Sequence, residues 1–164
     1  MTSVRRRPVV VFTDESIAQE ARQALAGTCD IRVIGSYASE ETTIRTTRDA
    51  DAILVRLGNI TERVIAGAPR LRIVACHGSG VDCVDIAAAT RQGVVVTNAG
   101  PANAASVAEY TFALLLALLR KVPLADSGMR DGGWLRHRQI GTSLEGKAIG
   151  IVGFGQIGQR VARI

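Results

Sequence analysis

The chain has 164 residues, 47% hydrophobic and 21% charged, with a net charge of +5, which is the balance of a folded globular chain rather than a disordered one. Its basic residues are scattered, apart from 5–7 and the pair Arg136 and Arg138, and are not interleaved with aromatics; no nucleic-acid partner is expected, and 5–7 reads as a solvated tail. The longest apolar run, 110–119, falls short of the ~20 residues that span a bilayer and no apolar leader opens the chain, so a cytoplasmic protein without membrane contact is expected.

Short β-branched runs alternate with helix-like segments over the first hundred residues. Residues 8–12 (PVVVF) are a predicted strand. Residues 15–26 have helical spacing at Ile17, Ala21, Ala24 and Leu25 and end at Gly27, as glycine often ends a helix. A second strand is expected at 30–34 (DIRVI), a short polar helix at 39–48 and a third strand at 52–55 (AILV). Thr61 is a plausible N-cap for a short helix over 61–66, with Pro69 beyond it. A fourth strand at 72–75 (RIVA) leads into His77-Gly78-Ser79-Gly80; a helix over 85–91 stops before Gly93, and a fifth strand follows at 94–97 (VVVT). Such alternation argues for βαβ units and a parallel sheet.

The pattern then changes. Residues 103–120 read as one helix, apolar on nearly every face, which requires cover on all sides. Pro123 interrupts the pattern, a second helix runs to about Arg130, 131–134 is a turn, and 135–147 is an irregular connection. Cys29, Cys76 and Cys83 form no CxxC pair, so neither a disulfide framework nor a metal site is indicated. Cys76, beside His77, reads as a buried free thiol.

Residues 147–152 (KAIGIV) have the look of a buried strand, followed at once by Gly153-Phe154-Gly155-Gln156-Ile157-Gly158 and a helix from Gln159. GxGxxG alone is weak; between a strand and a helix it fits a dinucleotide fingerprint. Gly153 permits the tight turn, Gly155 leaves room for a pyrophosphate, and Gly158 lets helix and strand approach. The helix-opening amides then face phosphate. The alternative is a plain strand–turn–helix whose glycines serve packing. The acidic residue that would read the ribose lies ~20 residues on, past Ile164.

The string VACHGSGVDCVDIAAATRQGVVVTNAGPANAASVAEYTFALLLALLR, with the later GGWLRHRQIGTSLEGKAIGIVGFGQIG, resembles the D-isomer-specific 2-hydroxyacid dehydrogenases, above all their phosphoglycerate dehydrogenase and hydroxypyruvate/glyoxylate reductase branch. The resemblance implies an α/β fold. A flavodoxin-like parallel-sheet substrate domain would occupy 1–101. An interdomain helix and the start of a Rossmann nucleotide-binding domain would occupy 102–164.

It further implies roles for particular residues. Gly78, Ser79 and Gly80 match the loop whose amides hold the substrate carboxylate, and Ser79 also approaches the nicotinamide. Arg56 matches an arginine facing the substrate, though Leu57 stands where relatives often have Ser. Asn103 matches an asparagine near the cleft, and Val107 lines the nicotinamide pocket. Gln156 and Ile157 offer amides to the pyrophosphate beside Gly153, Gly155 and Gly158. Arg136 matches a position that reaches a neighbouring subunit's site. Read without the family, Gly78 and Gly80 are turn residues, Arg56 is a solvated strand end, Asn103 is the N-cap of the long helix and Tyr110 packs.

The implied activity is hydride transfer between NAD, with NADP also open, and a 2-hydroxy or 2-keto acid, in a homodimer or higher homo-oligomer. The histidine, carboxylate and arginine of the family's chemistry fall beyond Ile164, and neither His77 nor His137 matches them. No catalytic residue is therefore assigned here, and these 164 residues alone are expected to be inactive, with the segment beyond about 135 mobile or aggregation-prone for want of partner strands. The second reading is an NAD-sensing corepressor-like binding protein on the same fold; the third is a non-functional truncated gene product.

Overall fold

The computed structural model describes residues 6–17, 19–134 and 140–164. The chain divides into two compact units, Met1–Gly100 and Pro101–Ile164.

The first unit is a five-stranded sheet with β1 (Val9–Phe12), β2 (Asp30–Val33), β3 (Ala52–Val55), β4 (Ile73–Cys76) and β5 (Val95–Asn98) in the order β2-β1-β3-β4-β5. Every pairing is parallel, with Val10 opposite Ala52, Ile53 opposite Val74 and Ala75 opposite Thr97. Helices α1 (Gln19–Ala26), α2 (Glu40–Thr47), α3 (Glu62–Ala66) and α4 (Ile86–Gln92) alternate with the strands. This is the flavodoxin-like order expected from the sequence. Each strand lies within a residue or so of its predicted run, because a β-branched run of four residues offers no other compact use.

Alternate side chains of each strand point to opposite faces. Ile53, Val55, Val74 and Cys76 meet Val64, Ile65, Ala88 and Ala89 on the face carrying α3 and α4. Val10 and Phe12 meet Ile17, Ala21 and Leu25 on the face carrying α1. Phe12, Ile53, Ile60 and Ile65 are among the largest fully buried side chains, each stabilising by ~1.5–3 kcal/mol. Beyond α1 the second face opens into a groove of about 800 Å³, lined by residues that include Leu54, Ile73, Ala75 and Val95.

The caps follow local chemistry. Thr61 accepts from the Val64 amide, as the sequence suggested, and Asp85 does the same for Ala88 at 2.8 Å. Gly93 ends α4 in the left-handed region with φ +71°, a conformation glycine adopts without a Cβ penalty. Arg6 and Arg7 do not form the free tail expected for 5–7. Arg6 pairs with Asp51 at 2.5 Å, and Arg7 donates to the Ala26 carbonyl at 2.6 Å. Asp51 also accepts from the Val9 amide at 2.8 Å, so charge anchors the start of β1.

In the second unit a 3₁₀ turn, Gly100–Asn103, leads into α5 (Ala104–Leu119). Asn103 occupies the N-cap position of α5 but makes no side-chain capping bond. Its backbone (φ −101°, ψ 1°) is not the extended one a cap requires. Lys121, with φ +54°, turns the chain into α6 (Val122–Arg130), where Pro123 lies in the first turn rather than breaking a helix. α7 (Gln156–Arg163) packs against α5. Only Ala104 and Ala108 of α5 are buried, while Leu114, Leu116, Leu118 and Tyr110 are exposed. Tyr110 is therefore not the packing residue expected. By length and composition Gly100–Leu119 could cross a bilayer, an apolar stretch longer than the run 110–119 suggested.

The strand expected at 147–152 is not formed. All strands among the described residues belong to the first unit's sheet, and a strand without a neighbour leaves its backbone groups unpaired. Ile149, Ile151 and Val152 stay exposed. Arg136 and His137 lie outside the described residues.

Candidate functional site

Because all five strands run parallel, their carboxyl ends share one edge. In such sheets ligands bind at that edge, where the strand order reverses. Here the reversal lies between β1 and β3, and Thr13, Asp14 and Arg56 stand at it. Thr13 closes the gap: its amide donates to the Leu54 carbonyl at 3.1 Å, and its hydroxyl donates to the Leu57 carbonyl at 2.8 Å while accepting from the Arg56 amide at 3.2 Å.

Asp14 is 1% exposed. It accepts from the Ser16 hydroxyl, from the Ser36 hydroxyl at 2.6 Å and from the Ser16 amide at 2.7 Å. Those donors, with the Arg56 guanidinium 3.6 Å away, overcome its burial and lower its pKa to about 2. Arg56 also donates to the Ser16 hydroxyl. Its side chain remains 39% exposed, so the guanidinium is aimed by a buried carboxylate yet open to a ligand. This arrangement differs from a freely solvated strand end.

On the next strand the loop after β4 carries Gly78, Ser79 and Gly80. The His77 amide donates to the Val55 carbonyl at 2.7 Å, which ties the loop's start to the strand that carries Arg56. The Gly78 carbonyl accepts from the Ala99 amide at 2.8 Å, and the Ser79 carbonyl from Asn98 Nδ2 at 2.7 Å. Neither Gly78 nor Gly80 has a positive φ, so turn geometry does not demand glycine at either position. A Cβ at Gly78 would meet nothing within 4 Å, and one at Gly80 would meet only the Asp82 side chain, 3.1 Å away. Arg56, Gly78, Ser79 and Gly80 thus come together along one edge of the first unit.

The second unit holds Asn103 and Val107 at the start of α5, and the glycine loop at the start of α7. Asn103 is exposed and Val107 half-buried. Gly153 has φ +92°, open to glycine and strained for any other residue. A Cβ at Gly158 would stand 2.2 Å from the Gly153 carbonyl, whereas one at Gly155 would meet nothing. The three glycines therefore differ in kind: one permits the turn, one permits close packing, and Gly155 leaves space that this chain does not fill. The helix starts at Gln156, three residues earlier than expected. Its opening amides, those of Gln156 and Ile157 included, have no intrahelical acceptor, and the dipole favours an anion there. This geometry fits a dinucleotide pyrophosphate.

Sequence reasoning missed the Asp14–Ser16–Ser36 cluster. Its signal was present, since Asp14 and Ser16 follow a buried strand in FTDES, but Ser36 comes from a distant turn that only the fold brings near. Among the described residues no cluster of three or more His, Cys, Asp or Glu could hold a metal ion.

Comparison with known proteins shows the family. Residues 9–153 match the model of the D-isomer specific 2-hydroxyacid dehydrogenase catalytic domain. The chain is 41% identical over 157 residues to D-3-phosphoglycerate dehydrogenase of Mycobacterium tuberculosis, covering 95% of this chain and 29% of that one. A protein from Thermus thermophilus superposes with TM-score 0.84 at 31% identity, over 94% of this chain and 51% of that one. An NADPH-dependent glyoxylate/hydroxypyruvate reductase from Sinorhizobium meliloti, solved with NADP and malonate, superposes with TM-score 0.79 at 30% identity, over 96% of this chain and 50% of that one. The chain thus spans under a third of the curated relative and about half of each solved one. The family model covers most of this chain, from the first strand to the start of the glycine bend, and the chain belongs to the D-isomer-specific 2-hydroxyacid dehydrogenase family.

Proposed function

We propose that the whole protein is an oxidoreductase that transfers a hydride between a nicotinamide cofactor and a 2-hydroxy or 2-keto acid, and that this chain supplies the carboxylate-holding loop and the first diphosphate contacts. The observation that carries the reading is the space at Gly78, on a loop whose backbone does not require glycine. Backbone amides at Gly78, Ser79 and Gly80 are neutral donors fixed by the loop's anchoring, suited to a carboxylate. Arg56 adds a positive charge at the adjacent strand end, held in direction by Asp14. Malonate in the Sinorhizobium meliloti reductase is a carboxylate ligand in keeping with such a site.

When bound, the cofactor supplies the hydride acceptor or donor. The chain's own residues bind and orient: Gly155, Gln156, Ile157 and Gly158 receive the diphosphate, and Ser79, Asn103 and Val107 are assigned the nicotinamide and substrate contacts. Division into a substrate domain over 1–101 and the start of a nucleotide domain over 102–164 belongs to this proposal, as does a cytoplasmic homo-oligomer. NAD is the proposed cofactor; two solved relatives carry NADPH or NADP, so both are to be assayed.

The test is hydride transfer by the whole protein, followed as loss of nicotinamide absorbance with glyoxylate, hydroxypyruvate and phosphohydroxypyruvate, using NADH and NADPH in turn. Turnover of at least one acid is expected. Binding of cofactor without oxidation of it by any of the three would refute the dehydrogenase reading.

A further inference from the structure

Cys76 and Cys83 bracket the loop 77–82. Cys76 is the last residue of β4, and its side chain is buried in the core with Val55 and Val74. Cys83 lies in the turn before α4, half-buried against that same core. Their sulfurs are 3.9 Å apart. Cys29 belongs to a different cluster, beside α1 and β2, and does not compete for either.

Both ends of this pair are fixed by the backbone. Cys76 is held in register between Val55 and Asn98. The Cys83 carbonyl accepts from the Ile60 amide at 2.7 Å, and the Val84 amide donates to the Val81 carbonyl at 2.9 Å. The two anchored residues already hold their sulfurs 3.9 Å apart, so the approach needed for the ~2.05 Å bond of a disulfide is short.

We propose that Cys76 and Cys83 are a redox modification site, a dithiol that a peroxide oxidises to a reversible disulfide closing a ring around Gly78, Ser79 and Gly80. The half-buried Cys83 thiol meets hydrogen peroxide first and becomes a sulfenic acid, releasing one water. The Cys76 sulfur then attacks the sulfenic sulfur, forming the S–S bond and releasing a second water. Overall two thiols lose two hydrogens and two electrons, and the peroxide O–O bond is reduced to two waters. This order follows from access. Burial, followed by the neighbouring Cys83, pushes the Cys76 thiol up to about 11, so Cys76 is protonated at neutral pH and is the slower nucleophile toward an outside oxidant.

The test uses the 164-residue chain, exposed to hydrogen peroxide, denatured and alkylated with N-ethylmaleimide. Trypsin releases residues 73–91 as one peptide that holds both cysteines, because no Lys or Arg lies between Arg72 and Arg91. The expected product is this peptide two hydrogens lighter and unalkylated, with labels per chain falling from three to one and restored to three by dithiothreitol. Cys76→Ser is expected to divert Cys83 to sulfinic acid, and Cys83→Ser to leave Cys76 alkylatable. Three labels retained, or added oxygen on residues 73–91 without loss of two hydrogens, would each overturn the proposal. The wild-type peptide mass decides even where a serine variant fails to fold.

Discussion

Asp14 keeps a charge in a place where a lone carboxylate would be costly, because three hydrogen-bond donors and the Arg56 guanidinium surround it. Its pKa of about 2 in the fold lies below the ~3.9 of an unfolded aspartate. Its contribution to stability is therefore complete above about pH 4 and is lost as pH falls toward about 2. Asp14→Asn is expected to flatten the decline of Tm with acid over that window; an unchanged slope in thermal scans would count against the assignment. Without its anchor Arg56 loses direction, so under the proposed activity the same variant of the whole protein should raise KM for the acid more than it lowers kcat. Gly78→Ala separates binding from folding in the opposite way. The added methyl meets no atom of this chain, so Tm should stay within a few degrees, as for an uncrowded site. KM for the keto acid should rise by about tenfold or more, on the order of 1.4 kcal/mol of lost binding. An unchanged KM would return Gly78 to an ordinary loop residue.

At the scale of elements, what could be read in the sequence was whatever depends on local chemistry. Runs such as AILV and VVVF become strands because β-branched residues in short apolar stretches pack on both faces of a parallel sheet. Thr61 and Gly93 mark helix ends by the hydrogen bond or the φ value they supply. The loop 78–80 and the bend 153–158 could be located because glycine is conspicuous. What could not be read depends on distant partners: Ser36 reaching Asp14, Arg6 reaching Asp51, and KAIGIV forming no strand. Two substitutions test the packing. Ile53→Ala removes a fully buried side chain at the sheet centre and should cost about 2–5 kcal/mol, read by urea unfolding. Gly158→Ala places a methyl against the Gly153 carbonyl and should displace α7 at a cost of about 1–3 kcal/mol. Full retention of helicity and of dinucleotide affinity in that variant would contradict the close approach.

For the molecule as a whole, the sheet unit has a packed core, whereas α5 and α6 expose Leu114, Leu116, Leu118, Leu124 and Met129. Apolar surface on that scale marks an interaction site in soluble chains, in keeping with the proposed homo-oligomer. Sedimentation of the whole protein should show at least a dimer, and Leu118→Glu should shift it toward monomer; a monomeric wild type at micromolar concentration would rule out that part of the account. The central claim is that a substrate carboxylate rests on the amides of Gly78, Ser79 and Gly80 while a cofactor diphosphate rests on the bend at Gly155. A crystal structure of the whole protein with nicotinamide cofactor and a 2-keto acid measures this directly. The account predicts carboxylate oxygens within hydrogen-bond distance of the 78–80 amides and phosphate oxygens against the amides that open α7. A carboxylate held elsewhere, or a diphosphate that leaves the Gly155 bend empty, would contradict it.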